Sequence, residues 1–545
     1  MLSYASGTSD RALLGETIGV TFEQTVARVP DSEALVCCHQ ALRYTYAELN
    51  DAVDRLATGM LRAGLEQGDR IGVWSPTRAE WTLTQFATAK LGVILVNINP
   101  AYRTSELEYA LGQSGCRWII AAQELKGSSF VSMVDEVRPN LPALERAIFF
   151  GTPEWEELAS AHAQPDADAL NRRAAELDCD DPINIQYTSG TTGFPKGATL
   201  THHNILNNSY LAGGLMKYTE VDRICIPVPL YHCFGMVMGN LGSITHGACM
   251  VYPAETFEPE ATLSACANER CTALYGVPTM FIAQLEHPEF ERFDLSSLRT
   301  GIMAGSPCPV EVMKRVSSDM GIDEMAIAFG MTETSPVSTQ VRLDDTLEHR
   351  CGTVGQVMPH TEIKIVDPSN GRTQPHGEPG EFLARGYLVM RGYWNDPERT
   401  AEAIDPGGWM HTGDLATMDG EGYVRVVGRI KDMIIRGGEN VYPREIEEFL
   451  YTHPEIADVQ VIGVPDERYG EELMAWVVQR PGASLSEDAV KDFCRGKIAH
   501  YKIPRYVKFV DAFPMTVTGK VQKYKMRDAA IDELGLGSAA AVATA

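Results

Sequence analysis

The segment from Tyr187 to Gly197 concentrates residue types that bind phosphate groups. It reads Tyr-Thr-Ser-Gly-Thr-Thr-Gly-Phe-Pro-Lys-Gly and so combines hydroxyl groups, glycines and one lysine. Glycines let several backbone N–H groups approach one anion, hydroxyl groups add donors, and lysine supplies positive charge. The segment therefore predicts a cradle for a polyphosphate, and a Gly- and Thr-rich surface loop is the alternative.

Two common catalytic loops do not match this part of the sequence. A Walker-type phosphate loop ends in Gly-Lys-Ser or Gly-Lys-Thr, whereas Lys196 is followed by Gly197 and Ala198. The Gly-Lys pair at Lys520 is followed by Val521 and fails for the same reason. No Gly-x-Ser-x-Gly elbow surrounds Ser189. These patterns disfavour a Walker-type NTPase and a serine hydrolase.

The elements that must position the loop alternate between helix and strand. Thr45 and Glu48 have capping-box spacing ahead of an amphipathic stripe formed by Leu49, Val53, Leu56 and Met60. Further strands are predicted at 70–74, 93–96, 118–121 and 183–186, with helices at 78–91 and from Ser105, capped with Glu108. Such alternation is typical of parallel sheets covered by helices.

Beyond about residue 430 the pattern changes to that of a smaller α+β unit. Short strands are predicted at 459–464, 473–478 and 506–510, and a helix is predicted at 486–499. We therefore expect a large domain at 1–429, a hinge at 430–431, a small mobile domain at 432–530 and a flexible tail at 531–545.

The chain has 545 residues and a formal net charge of −26, which disfavours a general nucleic-acid binder. Between Lys491 and Arg527, however, ten Lys and Arg face only two Asp. This basic island suits a compact polyanion such as a nucleotide, or forms an ordinary solvated helix face. Charge alone does not distinguish these two interpretations.

The twelve cysteines include no Cys-x-x-Cys pair, so their spacing indicates neither a zinc framework nor a disulfide scaffold. No basic stretch followed by an apolar run begins the sequence, and no apolar stretch reaches the length of a membrane span. We therefore expect a cytoplasmic protein without a transmembrane segment.

The segment Tyr187–Gly197 resembles the phosphate-binding signature of the adenylate-forming superfamily, which includes acyl-CoA synthetases, luciferases and peptide-synthetase adenylation domains. Seven more segments resemble signatures of that family in the same order: Pro229–Gly235, Ala304–Pro307, Phe329–Glu333, His411–Asp414, Gly428–Asp432, Gly437–Glu439 and Pro514–Lys520. The resemblance covers residues 30–527, and segments 97–102 and 432–440 are most similar to acyl-CoA synthetases for medium-chain fatty acids. It implies an α/β fold with a large N-terminal domain of parallel-rich sheets and a small mobile C-terminal domain.

The resemblance also implies ATP and coenzyme A as co-substrates, Mg²⁺ as cofactor, and a set of site residues. The ATP- and AMP-binding residues would be Thr188, Ser189, Gly190, Thr191, Thr192, Gly193, Lys196, Gly305, Ser306, Pro307, Phe329, Gly330, Met331, Thr332, Asp414 and Arg429. Catalytic roles would fall to Lys520, Glu333, Thr188 and His232. The acyl and pantetheine channel would be formed by Tyr231, His232, Phe234, Gly276, Val277 and Met280, and coenzyme A would meet Gly437, Gly438 and Glu439.

Each implied role has a chemical reason and a plainer alternative. Lys520 would neutralise charge between the acid and the α-phosphate, or be an exposed loop lysine. Glu333 would ligate Mg²⁺, or be a carboxylate at a helix start. Asp414 and Arg429 would bind the ribose hydroxyls, or form a surface ion pair. Lys431 would be the residue about which the small domain rotates between the two half-reactions.

Two positions carry further alternatives. His232 lies between apolar residues and is either a gate between acid and thiol or a satisfied core histidine; further metal ligands at suitable spacing are absent. Phe329 departs from the family, which usually has Tyr here. Phenylalanine keeps the flat face that stacks on adenine but lacks the hydroxyl donor, so any polar role of that hydroxyl is in doubt.

The segment from Pro229 to Val237 contains no acidic residue that could pair with a substrate ammonium, which disfavours α-amino acids. Apolar side chains could line a tunnel for a hydrophobic acid, or simply form core: Tyr231, Phe234, Met236, Met238, Val277, Met280 and Phe281. The sequence thus predicts a ligase that forms acyl-AMP and then acyl-CoA from a hydrophobic acid. The alternatives are an aryl-acid ligase, an acyl-AMP ligase that loads a carrier protein, and a noncatalytic nucleotide or acyl sensor; assembly into a homodimer is left open.

Overall fold

The structure is a computed structural model that describes residues 1–159, 164–188, 195–306, 308–437, 439–466, 468–516 and 521–536. It confirms a mixed α/β fold with a large N-terminal part and a smaller C-terminal part. Among these residues, none of the helices combines the length and the apolar character that crossing a lipid bilayer requires.

The strands of the large part are β1 (Tyr4–Ser6), β2 (Glu33–Cys37), β3 (Leu42–Thr45), β4 (Arg70–Trp74), β5 (Ile94–Ile98), β6 (Trp118–Ala121), β7 (Glu124–Leu125), β8 (Ser128–Ser129), β9 (Arg146–Phe149), β10 (Pro182–Thr188), β11 (Lys196–Thr201), β12 (Arg223–Cys225), β13 (Cys249–Tyr252), β14 (Ala273–Gly276), β15 (Thr300–Ala304), β16 (Glu324–Gly330), β17 (Val337–Gln340), β18 (Gln356–Val357), β19 (Thr361–Val366), β20 (Gly380–Gly386), β21 (Gly392–Tyr393), β22 (Met410–Met418) and β23 (Val424–Arg429). Those of the small part are β24 (Ile434–Arg436), β25 (Glu439–Val441), β26 (Ile456–Asp466), β27 (Gly470–Gln479) and β28 (Tyr506–Phe509).

The α-helices are α1 (Ile18–Arg28), α2 (Tyr46–Arg62), α3 (Ala79–Leu91), α4 (Thr104–Ser114), α5 (Phe130–Val137), α6 (Pro153–Ala159), α7 (Ala167–Ala174), α8 (His202–Leu215), α9 (Gly242–His246), α10 (Pro259–Asn268), α11 (Pro278–Leu285), α12 (Val310–Met320), α13 (Leu347–Gly352), α14 (Pro397–Ala403), α15 (Pro443–Tyr451), α16 (Glu487–Cys494) and α17 (Lys523–Leu534). A π-helix covers Phe234–Leu241, and short 3₁₀ turns include Thr332–Thr334 and Ile430–Asp432.

One sheet of the large part has the strand order β21-β11-β10-β5-β4-β6-β9. Its strands run parallel from β10 to β9, as the α/β alternation predicts. β11 returns antiparallel to β10, so Tyr187 lies opposite Gly197 and Thr188 opposite Lys196. The predicted phosphate segment is therefore the connection of a β-hairpin.

A second sheet has the order β18-β17-β16-β15-β14-β12-β13-β2-β3 and is parallel from β16 to β2. Its neighbouring strands β14, β15 and β16 end at Gly276, Ala304 and Gly330. The carboxyl ends of parallel strands lie at the same edge of a sheet. The segments that follow Gly276, Ala304 and Gly330 therefore lie at one edge, and this is where α/β folds usually bind ligands. A third, antiparallel sheet, β1-β19-β20-β22-β23, places Asp414 opposite Arg429.

Helix α2 confirms the capping-box prediction, since Thr45 and Glu48 exchange both hydrogen bonds and the predicted apolar stripe is buried. The prediction for the next capped helix was wrong. α4 begins at Thr104, and Glu106 rather than Glu108 accepts the N–H of Arg103 at 2.9 Å. A helix is present at this place, but the turn at Asn99–Tyr102 sets its start one residue before Ser105.

The small part has its own buried core, built from residues of β24 to β28, α15 and α16. Its sheet has the order β25-β24-β27-β26, with β28 parallel to β27. α16 ends at Cys494, earlier than the sequence predicts, and Gly496 follows with φ +72°. The division of the chain at residues 430–431 remains a proposal.

The basic island of the sequence is largely neutralised by ion pairs within the small part. In the described residues its cations pair with carboxylates as follows: Lys491–Glu487, Arg495–Asp492, Lys502–Glu445, Arg505–Asp466, Lys508–Glu533, Lys523–Glu447 and Arg527–Glu471. The structure thus favours a paired, solvated surface over a general polyanion site. Four of the acidic partners lie at least 20 residues before the island and could not be counted with it: Glu445, Glu447, Asp466 and Glu471.

A buried ion pair holds the small part together and gives a stability prediction. Glu472 is 1% exposed and binds Arg436 through two hydrogen bonds of 2.7 and 2.8 Å. Glu472→Gln should lower the free energy of unfolding of the small part by about 3–5 kcal/mol, since it leaves the Arg436 guanidinium, which is 13% exposed, without a charged partner of its own at that position. Hydrogen exchange of peptides from β26 and β27 measures this loss.

The matched control is Glu533→Gln, because Glu533 pairs with Lys508 at the surface, where ion pairs contribute less than about 1 kcal/mol. If both variants accelerated exchange equally, the Glu472 pair would not be a principal stabilising contact.

Candidate active site

Two hydroxyl groups converge on the carboxylate of Glu333. The Oγ1 of Thr188, at the end of β10, donates to Glu333 Oε1 at 3.0 Å, and the Tyr393 hydroxyl donates to the same oxygen at 2.9 Å. Glu333 is 4% exposed, and its negative charge adds to burial in raising the pKa of Tyr393. The Oε2 atom accepts no hydrogen bond from the residues that the structure describes. One carboxylate oxygen therefore remains available to a hard cation.

A group of positive charges extends from the Tyr393 ring, next to this carboxylate, to the Ile430–Asp432 turn. Lys196 Nζ lies 4.4 Å from the centre of the Tyr393 ring, a cation–π contact that joins the phosphate hairpin to the Glu333 site. Burial lowers the pKa of Lys431, and the charges of Arg429 and Lys196 lower it further. Lys431, Arg429 and Lys196 therefore repel one another, and a bound anion such as a phosphate chain would relieve this repulsion.

The hairpin is anchored at both ends. The Tyr187 hydroxyl donates to the carbonyl of Ala110 and to Gln113 on α4, and the Tyr109 hydroxyl donates to the carbonyl of Pro195. Ser189, Gly190, Thr191, Thr192 and Gly193, which lie between these anchors, are outside the described residues, as are Pro307, Gly438 and Lys520.

Two glycines at the sheet edge are required by the backbone itself. Gly305 has φ +90°, a conformation that L-residues rarely adopt, and its Cα faces Val277. A Cβ on Gly330 would lie 1.9 Å from the carbonyl oxygen of Pro336. Met331 and Thr332 follow Gly330, and the Thr332–Thr334 turn presents Glu333. The sequence therefore places glycine where only glycine permits this turn.

Phe329 and Asp414 are linked through β20. The Phe329 ring packs edge to face on Phe382, with centroids 5.3 Å apart and an interplanar angle of 88°. The carbonyl of Phe382 accepts from Thr412 Oγ1 at 2.6 Å, and Thr412 Oγ1 also accepts the Asp414 N–H at 3.1 Å. This series of contacts connects the Phe329 ring to the backbone of Asp414 through Phe382 and Thr412.

Asp414 and Arg429 form an ion pair with one side open to solvent. Arg429 Nε donates to Asp414 Oδ1 at 3.0 Å, and the Arg429 side chain is 51% exposed whereas that of Asp414 is 8% exposed. The predicted partnership is present, and antiparallel pairing of β22 with β23 produces it. Its role in ribose binding stays a prediction.

We expect Asp414→Asn to raise the KM for ATP roughly 10- to 150-fold, since a hydrogen bond to a charged acceptor contributes about 1.5–3 kcal/mol. Steady-state kinetics at varied ATP measure the change. Glu362→Gln is the control, because Glu362 pairs with Arg385 in the same sheet but away from these motifs. An unchanged KM with only kcat reduced would contradict ribose binding by Asp414.

Of the predicted channel residues, Phe234 begins the π-helix Phe234–Leu241, and Tyr231 and His232 lie just before it. A π-helix is a rare geometry that often marks functional sites. His232 is half-buried, and its Nδ1 accepts the Phe234 N–H at 3.1 Å, so the ring fixes the start of this helix. Two buried amides bind the segment before this helix. The Asn97 side chain donates to the Tyr231 carbonyl at 2.8 Å, and the Asn184 side chain donates to that of Asn97 at 2.9 Å. The structure thus gives His232 a positioning contact in either of its predicted roles.

The predicted channel side chains are buried together. Phe234 stacks on Tyr275, with ring centroids 5.4 Å apart. Val277 and Met280 are buried in the hydrophobic core of the large part. Tyr231 is also buried, and its hydroxyl has no hydrogen-bond partner in the described part of the chain. An unsatisfied buried hydroxyl costs about 1–3 kcal/mol, which a polar group of a bound ligand would recover. Gly276 sits beside Phe281, whose ring lies 2.9 Å from where a Cβ would be.

Further contacts connect the phosphate and acyl regions. Thr332 Oγ1 lies 3.8 Å from Cys233 Sγ, next to His232. Val277, at the start of the acyl segment, lies against Gly305 of the adenine motif. These two contacts bring together segments that are 99 and 28 residues apart in sequence.

The small part meets the large part at α15. Glu448 on α15 lies near the N–H of Val310, the first residue of α12, and burial raises the pKa of Glu448. Gly437 has φ +61° and donates its N–H to the Tyr469 carbonyl at 2.8 Å. The Ile430–Asp432 turn joins the two parts. A rotation about Lys431 would have to break the Glu448 contact.

Sequence reasoning missed Tyr393 and Phe382, which orient Glu333 and Phe329. Each lies in a strand outside the recognised motifs, and only the tertiary pairing of β21 with β11 and of β20 with β22 brings it to the site. The aromatic pair Tyr393-Trp394 in a loop-like segment was the available signal. Asn97 was noted as part of a similar segment, but its support of the π-helix was not.

The chain matches two family models. The AMP-binding enzyme model matches residues 22–394, and the AMP-binding enzyme C-terminal domain model matches residues 445–520. The chain is 47% identical to the protein YngI of Bacillus subtilis (strain 168), with 96% of this chain and 99% of that protein covered. It is 45% identical to the mitochondrial medium-chain acyl-CoA ligase ACSF2 of Danio rerio, with 98% and 91% covered.

A solved structure is also similar along nearly the whole chain. The anthranilate CoA ligase AuaEII in complex with anthranoyl-AMP superposes with a TM-score of 0.87 at 29% identity, with 97% of this chain and 99% of that chain covered.

Proposed function

The chain belongs to the AMP-binding enzyme family, and we propose that it is an AMP-forming fatty acid–CoA ligase. It converts a hydrophobic carboxylic acid, in the medium-chain range, to acyl-AMP and pyrophosphate, and then to acyl-CoA and AMP. The observation that carries the proposal is the convergence of Thr188 and Tyr393 on Glu333, with Lys196 beside them at the phosphate hairpin.

In the first half-reaction a carboxylate oxygen of the acid attacks the α-phosphorus of ATP, and pyrophosphate leaves. Two anions must approach, so charge neutralisation and alignment dominate the barrier. Lys196 and the hairpin amides would hold the β- and γ-phosphates, Asp414 and Arg429 the ribose, and Phe329 the adenine. Lys520 would neutralise charge on the attacking and α-phosphate oxygens.

Glu333 is the residue that would hold Mg²⁺, because its two hydroxyl donors share Oε1 and leave Oε2 available. When bound there, the ion would supply charge neutralisation to the phosphate oxygens. Thr188 and Tyr393 orient the carboxylate in either case.

In the second half-reaction the thiolate of coenzyme A attacks the acyl carbonyl carbon, and the bond to the AMP oxygen breaks. The turn at Gly437 would bring its backbone close to pantetheine after a rotation at Lys431. Tyr231 would donate its unsatisfied hydroxyl to a polar group of the acid or of pantetheine. His232 would hold the π-helix that forms this wall.

We propose an apolar acid because the predicted channel residues Phe234, Val277 and Met280 are buried apolar side chains and the segment 229–237 lacks a carboxylate. The relative named a medium-chain acyl-CoA ligase supports an aliphatic chain. We also propose a reducing, cytoplasmic location, which fractionation against a mitochondrial marker would test.

The experiment incubates the protein with ATP, Mg²⁺, coenzyme A and a panel of straight-chain and aromatic acids, and measures AMP and thioester by mass spectrometry. We expect equal amounts of AMP and acyl-CoA, with the highest kcat/KM for a medium-chain acid. Highest kcat/KM for benzoate or coumarate would indicate an aryl-acid ligase. AMP without acyl-CoA would indicate loading of a carrier protein, and no turnover with any acid would indicate a sensor.

A further inference from the structure

Three buried cysteines meet at a place where no part of the proposed reaction occurs. The Sγ atoms of Cys225, Cys266 and Cys271 all lie within 4.8 Å of one another, and each residue is buried. They come from three positions that show no metal-binding spacing in the sequence, which is why the sequence indicated no such framework. These three residues form the cysteine cluster.

Rigid elements hold the cluster. Cys225 ends β12, and Cys266 lies on the buried face of α10. Cys271 follows α10 after a tight turn in which its N–H donates to the Cys266 carbonyl at 3.0 Å. β14 begins directly after that turn and pairs with β12. The thiols of Cys266 and Cys271, on the connection from α10 to β14, therefore lie next to the thiol of Cys225 on β12. Sites built on such elements are geometrically precise.

From this geometry we propose that Cys225, Cys266 and Cys271 bind one thiophilic d¹⁰ metal ion, Zn²⁺ or Cu⁺, through three thiolates. A metal–sulfur distance of about 2.3 Å places the sulfurs of a trithiolate site about 4 Å apart. The observed separations require only a small inward movement of the side chains. Thiolate ligands select these soft ions over Mg²⁺ and Ca²⁺.

Metal binding at the cluster balances without a redox step. The three buried thiols would ligate the ion as thiolates, and their protons would be released to solvent. The metal replaces protons, so no oxidant is needed.

A route to the cluster begins at the surface. A cavity of about 430 Å³ is lined by residues of β2, the following turn and α10, among them Cys38, Ala265 and Glu269. Cys38 is half-buried, and Ala265, another lining residue, directly precedes Cys266. Cys38 would therefore meet an ion that enters from solvent and transfer it to the cluster by ligand exchange.

The site has a structural consequence for the acyl region. β14 begins two residues after Cys271 and ends at Gly276, which precedes Val277 and α11. An ion that ties α10 to β12 would fix the start of the strand that carries the acyl-channel residues. The inference does not depend on the proposed ligase activity, because metal binding is measured directly.

The test uses the reduced, tag-free full-length chain. After equilibration with Zn²⁺, or with Cu⁺ under anaerobic conditions, and removal of unbound metal by gel filtration, elemental analysis should find one equivalent per chain. Addition of Cu⁺ to the Zn²⁺-loaded protein distinguishes the ions: zinc release identifies a copper site and zinc retention a zinc site. Thermal denaturation should show a higher Tm for the loaded protein.

Cys266→Ala and, as a milder change, Cys225→Ser should lose the bound equivalent and the Tm rise. Cys249→Ala is the matched control, since Cys249 is equally buried nearby but lies outside the cluster; it should retain one equivalent. Cys38→Ala should load several-fold more slowly to the same stoichiometry, and unchanged loading would overturn the route. A wild-type chain that retains no stoichiometric Zn²⁺ or Cu⁺ overturns the site, whether or not the variants fold.

Discussion

Glu333→Gln should reduce acyl-AMP formation from acid and ATP on the order of 10²- to 10³-fold, which is the loss typical of removing one preorganised electrostatic contact. The amide keeps the size of the side chain and can still accept from Thr188 and Tyr393, but it lacks the charge that would hold Mg²⁺. Pyrophosphate release in a single turnover measures this step. Thioester formation from supplied acyl-AMP and coenzyme A should remain near the wild-type rate.

Tyr393→Phe is the control for this variant. It removes one hydroxyl that donates to Glu333 Oε1 but leaves the charge and the second donor, Thr188, so adenylation should fall only roughly 2- to 10-fold, less than in Glu333→Gln. Equal losses in both variants would mean that the donors, and not the charge of Glu333, matter for the reaction.

Lys520→Ala should abolish measurable adenylation, with a loss of at least about 10²-fold, while sparing thioester formation from supplied acyl-AMP. The reason is that only the first half-reaction brings two anions together and leaves excess negative charge at the α-phosphate. The two rates are measured separately, by pyrophosphate release and by acyl-CoA formation from synthetic acyl-AMP.

Lys525→Ala is the matched control, because Lys525 is an exposed lysine on α17 of the same part of the chain. It should leave both rates unchanged. If Lys520→Ala slowed both half-reactions equally, the assignment of Lys520 to one of two domain arrangements would be wrong.

Local sequence patterns predicted those features that depend on near neighbours. The Thr45–Glu48 cap and the strand at Arg70–Trp74 are present because capping and apolar periodicity are set within a few residues. The phosphate segment was identified by composition, and the β10–β11 hairpin explains why its two ends meet. Glu333, Asp414 and Arg429 were predicted from the family resemblance. A family motif reflects contacts in the folded protein, whereas the spacing of residue types in one sequence does not.

Features that depend on distant partners could not be read from the sequence. The orientation of Glu333 needs Tyr393, sixty residues away, and the stacking surface of Phe329 needs Phe382. The cysteine cluster brings Cys225 to residues on α10 and beyond it. The basic island looked unpaired because partners such as Glu447 and Glu471 precede it in the chain. In each case strand pairing or domain packing decides the contact.

The central claim is that the acid's own oxygen displaces pyrophosphate from ATP. The most direct measurement supplies the acid with both carboxylate oxygens labelled as ¹⁸O, together with ATP and coenzyme A, and analyses the nucleotide product by mass spectrometry. The proposed reaction predicts AMP that carries one ¹⁸O and pyrophosphate that carries none. Unlabelled AMP, or ADP as the nucleotide product, would contradict it.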